Sequence, residues 1–317
     1  MNDQAIHILV IQPLMEGLAK KIANRFICHN LYQCEDIDSY LKLHGDKIRG
    51  VATRGDVGLS SEIMEKLPNL EIISVFGVGT DGIDLVKAAE RNIKVTITSD
   101  ILTADVADLA LTFIMALSRD LQYQDKFARS GKWLTTPPRL ASKLTGKKIG
   151  ILGLGKIGKA IAKRAHAFDM DIGYCDSKKI SNVDYQYFSN LIDLADFSDF
   201  LVLAIPGGDQ NKGVINLNIL RALGEHGSLI NIARGALVNE VDLIEALQSG
   251  IIKSAALDVY EDEPKINNAF LPMENVILTP HIASATFETR QEMAKNVFDN
   301  LDHYFTTGKA ITDLHLH

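Results

Sequence analysis

Short apolar runs alternate with amphipathic stretches along almost the whole chain, the pattern of an α/β protein with parallel sheets. In the first part, residues 7–12, 49–53, 71–76 and 94–97 read as strands. Residues 61–67 and 85–91 carry helical periodicity between them. Thr103 then reads as the N-cap of a long helix. Val106, Leu109, Ala110, Phe113, Ile114 and Leu117 recur there at three- and four-residue spacing, so one stripe is apolar. That helix is expected to carry the chain to Ser130-Gly131 and to an irregular crossing at Pro137-Pro138.

A second α/β series begins at Lys147, with strands expected at 148–152, 171–175, 200–205, 228–232, 255–259 and 276–278. Residues 285–307 again read as a helix, with Met293, Val297, Leu301 and Phe305 on one stripe. No linker precedes this last helix, so it is expected to return to the first domain. The expected division is a discontinuous domain of residues 1–100 plus 286–317 and a second domain of residues 101–285.

Composition changes this picture little but narrows the partners. A chain of 317 residues has room for two cores, and 46% hydrophobic with 23% charged residues is ordinary for a globular protein. A net charge of -7 argues against nucleic acid as a partner, because phosphate backbones need a basic face. Cys28, Cys34 and Cys175 form neither a disulfide framework nor a ligand-spaced pair, which suits thiols in a reducing compartment. No apolar stretch approaches the roughly 20 residues that span a bilayer. The first residues carry no basic, signal-like flank. The expectation is a soluble, cytoplasmic protein with no membrane partner and no metal; His315 and His317 read as incidental.

The segment KKIGILGLGKIGKAIAKRAHAF supplies the first chemistry. A strand runs into Gly153-x-Gly155-x-x-Gly158, with Lys156 and Ile157 opening a helix. The first glycine allows a tight turn, the second a close approach of backbone to a pyrophosphate, and the third close helix–strand packing. Amides and the positive end of the helix dipole then face the anion. Asp176 follows about 18 residues after Gly158, at the end of the next strand, where a carboxylate can accept from a ribose hydroxyl pair. The pattern points to dinucleotide binding. At about 4 Å from a 2′-phosphate charge, Asp176 would cost several kcal/mol at an effective dielectric near 20, so NAD is favoured over NADP. Lys178 and Lys179 could offset part of that repulsion, which keeps NADP possible.

Downstream lie Arg234 in NIARG, Glu263 in DVYEDEP and His281 in TPHIAS, each after an apolar run. A guanidinium can clamp a carboxylate in a two-pronged bond. An imidazole can move a proton near neutral pH, and a carboxylate can orient it and favour its protonated form. Beside a dinucleotide site, the set reads as hydride transfer to a 2-oxo acid.

FGVGTDGID at 76–84, the glycine loop, NIARGALVNE at 231–240, LDVYEDEP at 257–264 and HIASAT at 281–286 occur in this order. Through them nearly the whole chain resembles the D-isomer-specific 2-hydroxyacid dehydrogenases. This is the family of glyoxylate/hydroxypyruvate reductases, D-lactate dehydrogenases and phosphoglycerate dehydrogenases. The resemblance implies two Rossmann-like, doubly wound domains with the active site in the cleft between them, and a homodimer formed through the cofactor domains. It implies that Arg234 binds the substrate carboxylate and polarises the carbonyl, that His281 is the acid, and that Glu263 pairs with it. Val78 and Gly79 match the turn whose amides hold the same carboxylate, with Arg54 as a further wall of the pocket. Asp258 would reach the nicotinamide carboxamide or ribose, and Pro206 and Ala233 join the cofactor contacts. Many members carry threonine where this chain has Asn211 or Lys212.

The implied activity is NAD(P)-dependent reduction of a small 2-oxo acid, foremost glyoxylate or hydroxypyruvate. The alternatives are 2-ketogluconate or hydroxyphenylpyruvate reduction, and, in another class, NADH sensing like the corepressors of this fold. Trp133 reads either as a border of the active site or as packing.

Overall fold

The computed structural model describes residues 5–98 and 100–314; His315 and His317 lie outside them. One compact unit runs to Leu102 and takes the chain up again at Ala285; the other is Thr103–Ser284.

The first unit opens with β1 (His7–Val10), α1 (Glu16–Arg25), β2 (Ile27–Asn30), α2 (Ile37–His44), β3 (Ile48–Arg54), α3 (Ser61–Glu65), β4 (Ile72–Phe76), α4 (Leu85–Glu90) and β5 (Lys94–Thr96). Among the described residues these strands form a parallel sheet in the order β2-β1-β3-β4-β5, a doubly wound arrangement. The interior strand β4, IISVF, is buried throughout, as expected where helices cover both faces. Side-chain caps start the helices: Asp36, Ser60 and Asp84 accept from the amides of Ser39, Ile63 and Lys87.

The second unit follows with α5 (Thr103–Ser118), α6 (Leu121–Arg129), β6 (Lys148–Leu152), α7 (Lys156–Ala167), β7 (Asp171–Cys175), β8 (Gln186–Phe188), α8 (Leu191–Phe197), β9 (Phe200–Leu203), α9 (Leu217–Leu223), β10 (Ser228–Asn231), α10 (Glu240–Gln248), β11 (Ser254–Leu257) and β12 (Val276–Leu278). Its strands form a parallel sheet in the order β12-β11-β10-β9-β6-β7-β8. The chain moves outward from β6 to β8 and then returns to β9 on the other flank. The strand order therefore reverses between β6 and β9. The last helix, α11 (Phe287–Thr307), belongs to the first unit and packs on β4 and α1. Thr286 caps it, and Met293, Val297 and Leu301 are buried.

Three departures from the sequence reading have physical reasons. The helix begun at Thr103 stops at Ser118, because Asp120 takes a left-handed backbone (φ 52) and a second helix starts at Leu121. Aspartate tolerates that conformation better than most residues, and its carboxylate pairs with Arg139. Strands β2 and β8 were not expected. Both lie at sheet edges, where half-exposed sequences such as ICHN and QYF carry no apolar run.

An imidazole cluster sits on the first sheet. His7 Nδ1 lies 2.8 Å from His29 Nε2, and His29 Nδ1 lies 2.7 Å from the Tyr40 hydroxyl. The His44 ring lies tilted against both, with centroids 5.4 Å from His29 and 4.6 Å from Tyr40. Burial, then the neighbouring His7, His44 and Lys47, hold the His29 pKa down at about 4. His7 is lowered for similar reasons, with Asp46 pulling the other way. A histidine depressed in the fold binds its proton more readily when unfolded, so its share of stability is lost as pH falls. The loss is expected between the ordinary value of 6.5 and about 4. Urea midpoints taken from pH 7 to pH 4 should fall over that window, and His29→Gln should flatten the fall. An unchanged slope in His29→Gln would remove His29 as its cause.

Candidate active site

All neighbouring strands of the second sheet are parallel, so the loops after β6, β7, β9, β10, β11 and β12 leave the same edge. Ligands of open α/β sheets bind at this carboxyl edge, where the strand order reverses. Here that place is the loop following β6.

The three glycines of this loop have distinct environments. Gly153 has φ +94, and an added Cβ would meet the Ala204 carbonyl oxygen at 2.7 Å. A Cβ on Gly158 would lie 2.1 Å from the Gly153 carbonyl oxygen, so only glycine lets α7 approach the turn. Gly155 faces open space, with nothing within 4 Å of its would-be Cβ. It stands at the N-terminus of α7, whose first residues are Lys156, Ile157 and Gly158. First-turn amides have no acceptor within their own helix. An open, side-chain-free approach to such amides fits the phosphates of a dinucleotide.

Asp176 follows β7 directly and is tied to the same loop. Its Oδ2 accepts from Leu154 N at 2.8 Å, and Oδ1 accepts from Ser177 N at 2.7 Å. Lys178 and Lys179 are exposed. Beyond β9, Pro206 is exposed, and its carbonyl accepts from Asn211 Nδ2 at 3.0 Å. Asn211 thus closes its own loop.

The loop after β10 turns on Asn231, a fully buried side chain. Asn231 Nδ2 donates to the Arg234 carbonyl at 2.8 Å, while its Oδ1 accepts from Ala233 N at 3.1 Å. Ala233 is buried. The Arg234 side chain is half-buried, and its Nη1 donates to the Ala233 carbonyl at 2.6 Å.

The loops after β11 and β12 are fastened together. His281 has a left-handed backbone (φ 53), strained for a residue with a Cβ. Its amide donates to the Asp258 carbonyl at 2.8 Å. The Asp258 carboxylate accepts from Thr279 Oγ1 at 2.6 Å, Ile282 N at 2.8 Å and Ala283 N at 2.9 Å. Asp258 is fully buried, and burial pushes its carboxyl above the usual range while these bonds oppose the rise. The Tyr260 hydroxyl lies 3.1 Å from the Leu257 carbonyl and 2.9 Å from that of Thr279. Burial, then the charge of Asp258, push its pKa up to about 12, so it stays a neutral donor.

Glu263 Oε1 accepts from Tyr260 N at 3.0 Å, and Oε2 lies 2.7 Å from His281 Nδ1. A carboxylate only accepts, so the proton in this bond belongs to Nδ1. Nε2 is the ring nitrogen left to exchange a proton with a substrate. The imidazole is partly exposed, with a side-chain relative accessibility of 39%.

Arg54, Val78 and Gly79 belong to the first unit. Arg54 pairs with Asp56 through Nε at 3.0 Å and through Nη2. A Cβ on Gly55 would come within 3.0 Å of the Gly79 carbonyl, so the two turns touch backbone to backbone. Val78 is half-buried and Gly79 buried.

Asn231, Gly235, Tyr260 and Thr279 shape this site but were not singled out from sequence. For Asn231 and Thr279 the available signal was a polar residue at the strand end; Gly235 and Tyr260 lie within the loops that follow. Among the described residues no group of histidine, cysteine and carboxylate side chains could hold a metal ion. No helix among them is long and apolar enough to cross a membrane.

The sequence model of the family described as D-isomer specific 2-hydroxyacid dehydrogenase, NAD binding domain, matches residues 111–283. The chain is 45% identical to a 2-ketogluconate reductase of Gluconobacter oxydans (strain 621H), covering 96% of this chain and 97% of the relative. It is 42% identical to a glyoxylate/hydroxypyruvate reductase of Arabidopsis thaliana, over 97% of this chain and 98% of the relative. Among solved structures, an NADPH-dependent glyoxylate/hydroxypyruvate reductase from Sinorhizobium meliloti in complex with NADP and malonate superposes with a TM-score of 0.91. It shares 36% identity over 98% of this chain and 97% of that one.

The glycine environments separate folding from binding. Gly155→Ala should cost at most about 1 kcal/mol of stability, as a helix-cap change does, yet raise the NADH Kd at least about ten-fold by filling the phosphate approach. Gly158→Ala should lose both stability and binding. Denaturation and NADH fluorescence titration check this; unchanged NADH affinity in Gly155→Ala would place the dinucleotide elsewhere.

Proposed function

The chain belongs to the D-isomer specific 2-hydroxyacid dehydrogenase family, and we propose that it reduces glyoxylate or hydroxypyruvate foremost, with 2-ketogluconate and hydroxyphenylpyruvate as the next candidates. The activity is NAD(P)-dependent reduction of a small 2-oxo acid to a D-2-hydroxy acid. The observation that supports the reading best is the bond between Glu263 and His281, which leaves Nε2 to face a substrate at the edge that carries the glycine loop.

The amides of Gly155, Lys156, Ile157 and Gly158 would hold the nicotinamide dinucleotide, which would supply the hydride. Pro206, Ala233 and Asp258 are proposed as its further contacts. Arg234 would clamp the substrate carboxylate and draw electron density from the carbonyl at C2. Val78 and Gly79 amides and the Arg54 side chain are proposed as further binders of that carboxylate. His281 would give its Nε2 proton to the carbonyl oxygen as it becomes a hydroxyl, and Glu263 would stabilise the imidazolium before that transfer. In the oxidative direction the same nitrogen would take the proton back.

Asp176, fixed beside the loop by Leu154 N, supports a preference for NAD over NADP. The exposed Trp133, Leu134 and Leu140 of the second unit support a homodimer that covers them. The free thiols of Cys28, Cys34 and Cys175 fit a reducing compartment, and we place the enzyme in the cytoplasm.

Arg234→Lys keeps the charge but loses the planar fork, so KM for the oxo acid should rise and kcat fall, with NADH affinity nearly unchanged. His281→Ala should cost roughly 10²–10⁴-fold in kcat. Steady-state assays of both variants with glyoxylate and hydroxypyruvate decide; turnover at the wild-type level in either would remove that residue from the reaction. A wild-type protein that binds NADH but reduces none of the four acids would favour the sensing function instead.

In Asp176→Ala the ratio of kcat/KM with NADH to that with NADPH should fall several-fold. An unchanged ratio would give the choice to Lys178 and Lys179.

A further inference from the structure

We propose that Glu240 is a positioning residue, setting the Glu263–His281 pair through the turn at residues 260–263; this rests on the reading of that pair as the proton-handling group. Glu240 is the first residue of α10, and Oε1 of its carboxylate accepts from the amide of Glu261 at 2.9 Å. The helix does not need it as a cap, because Asn239 already accepts from Val241 N and Asp242 N. Nor does simple electrostatics bring it there. The turn it meets reads Glu261-Asp262-Glu263, so a fourth carboxylate beside it is repelled. The contact is made to the backbone amide, and it fixes the turn.

Two consecutive amides of this turn are thereby held by two different carboxylates. Tyr260 N is held by Glu263 Oε1, and Glu261 N by Glu240 Oε1. The remaining oxygen of Glu263 is the one on His281 Nδ1. A rotation of the turn about Tyr260–Glu261 would therefore carry Glu263 away from the ring. Gly235 sets the same register from the other side. A Cβ there would lie 1.9 Å from the carbonyl carbon and oxygen of Tyr260 and 2.5 Å from Glu261 N. The residue before it is Arg234. Arg234 and Glu263 thus sit on two loops in backbone contact, and Glu240, five residues along from Gly235, latches one loop to the other.

The test is a double-mutant cycle in the full chain. Glu240→Ala and Glu240→Gln are made alone and in a Glu263→Gln background, with kcat measured on the best-reduced oxo acid and NADH Kd by titration. Loss of one charge-assisted bond in Glu240→Ala should lower kcat about ten-fold while leaving NADH Kd within about two-fold. Glu240→Gln, which keeps an acceptor oxygen, should recover most of the loss. In the Glu263→Gln background Glu240→Ala should cost less than about two-fold, because the two act in series. The proposal is overturned by wild-type kcat in Glu240→Ala, by a Gln variant as poor as Ala, or by the same ten-fold loss in both backgrounds. Failure of the underlying reading looks different: His281→Ala would then turn over normally whatever stands at position 240.

Discussion

The site depends on holding His281 in a backbone conformation that it would not choose. A left-handed φ on a residue with a Cβ costs on the order of 1–3 kcal/mol and persists only where neighbours over-determine it. Here the neighbours are the loop after the adjacent strand. Asp258 takes the His281 amide on its carbonyl and the following two amides on its carboxylate, and the Tyr260 hydroxyl bridges the two loops. Burying that carboxylate is itself unfavourable, as the upward push on its pKa records. The three hydrogen bonds offset the cost, and what results is an imidazole with one nitrogen fixed and the other offered outward.

The parallel sheet makes this arrangement possible. Because β10, β11 and β12 are consecutive neighbours, their carboxyl ends place a guanidinium, a carboxylate and an imidazole on adjacent loops. Three strands of the same sheet, β11, β10 and β9, separate β12 from β6, which the dinucleotide loop follows, yet all these loops leave one edge. The glycines do the rest locally. Gly158 and Gly235 are each required by a backbone atom closer than any Cβ could tolerate, one seating the helix behind the phosphate approach, the other seating the arginine loop against Tyr260.

Much of this was legible in the chain itself. Interior strands such as β4 and β10 are buried on both faces and so appear as continuous apolar runs, and the chemistry-bearing residues follow those runs directly. What could not be read has one physical character. Edge strands β2 and β8 lack an apolar run, and the break at Asp120 follows from a single backbone angle. Likewise the bonds of Asn231, Tyr260 and Glu240 join residues to amides and carbonyls, which carry no side-chain signal in a sequence. Periodicity reports which face is buried; it does not report which amide a carboxylate will find.

In the proposed reaction one imidazole, oriented by Glu263, carries the proton in both directions. Profiles of kcat/KM against pH, measured for reduction of the oxo acid and for oxidation of the hydroxy acid in the same buffers, test it most directly. Reduction consumes a proton and needs the imidazolium, so its profile should fall as pH rises. Oxidation needs the neutral ring and should fall as pH drops. The two limbs should mirror each other and both should vanish in His281→Ala. Limbs of the same sign in the two directions, or limbs that persist without the imidazole, would contradict the account.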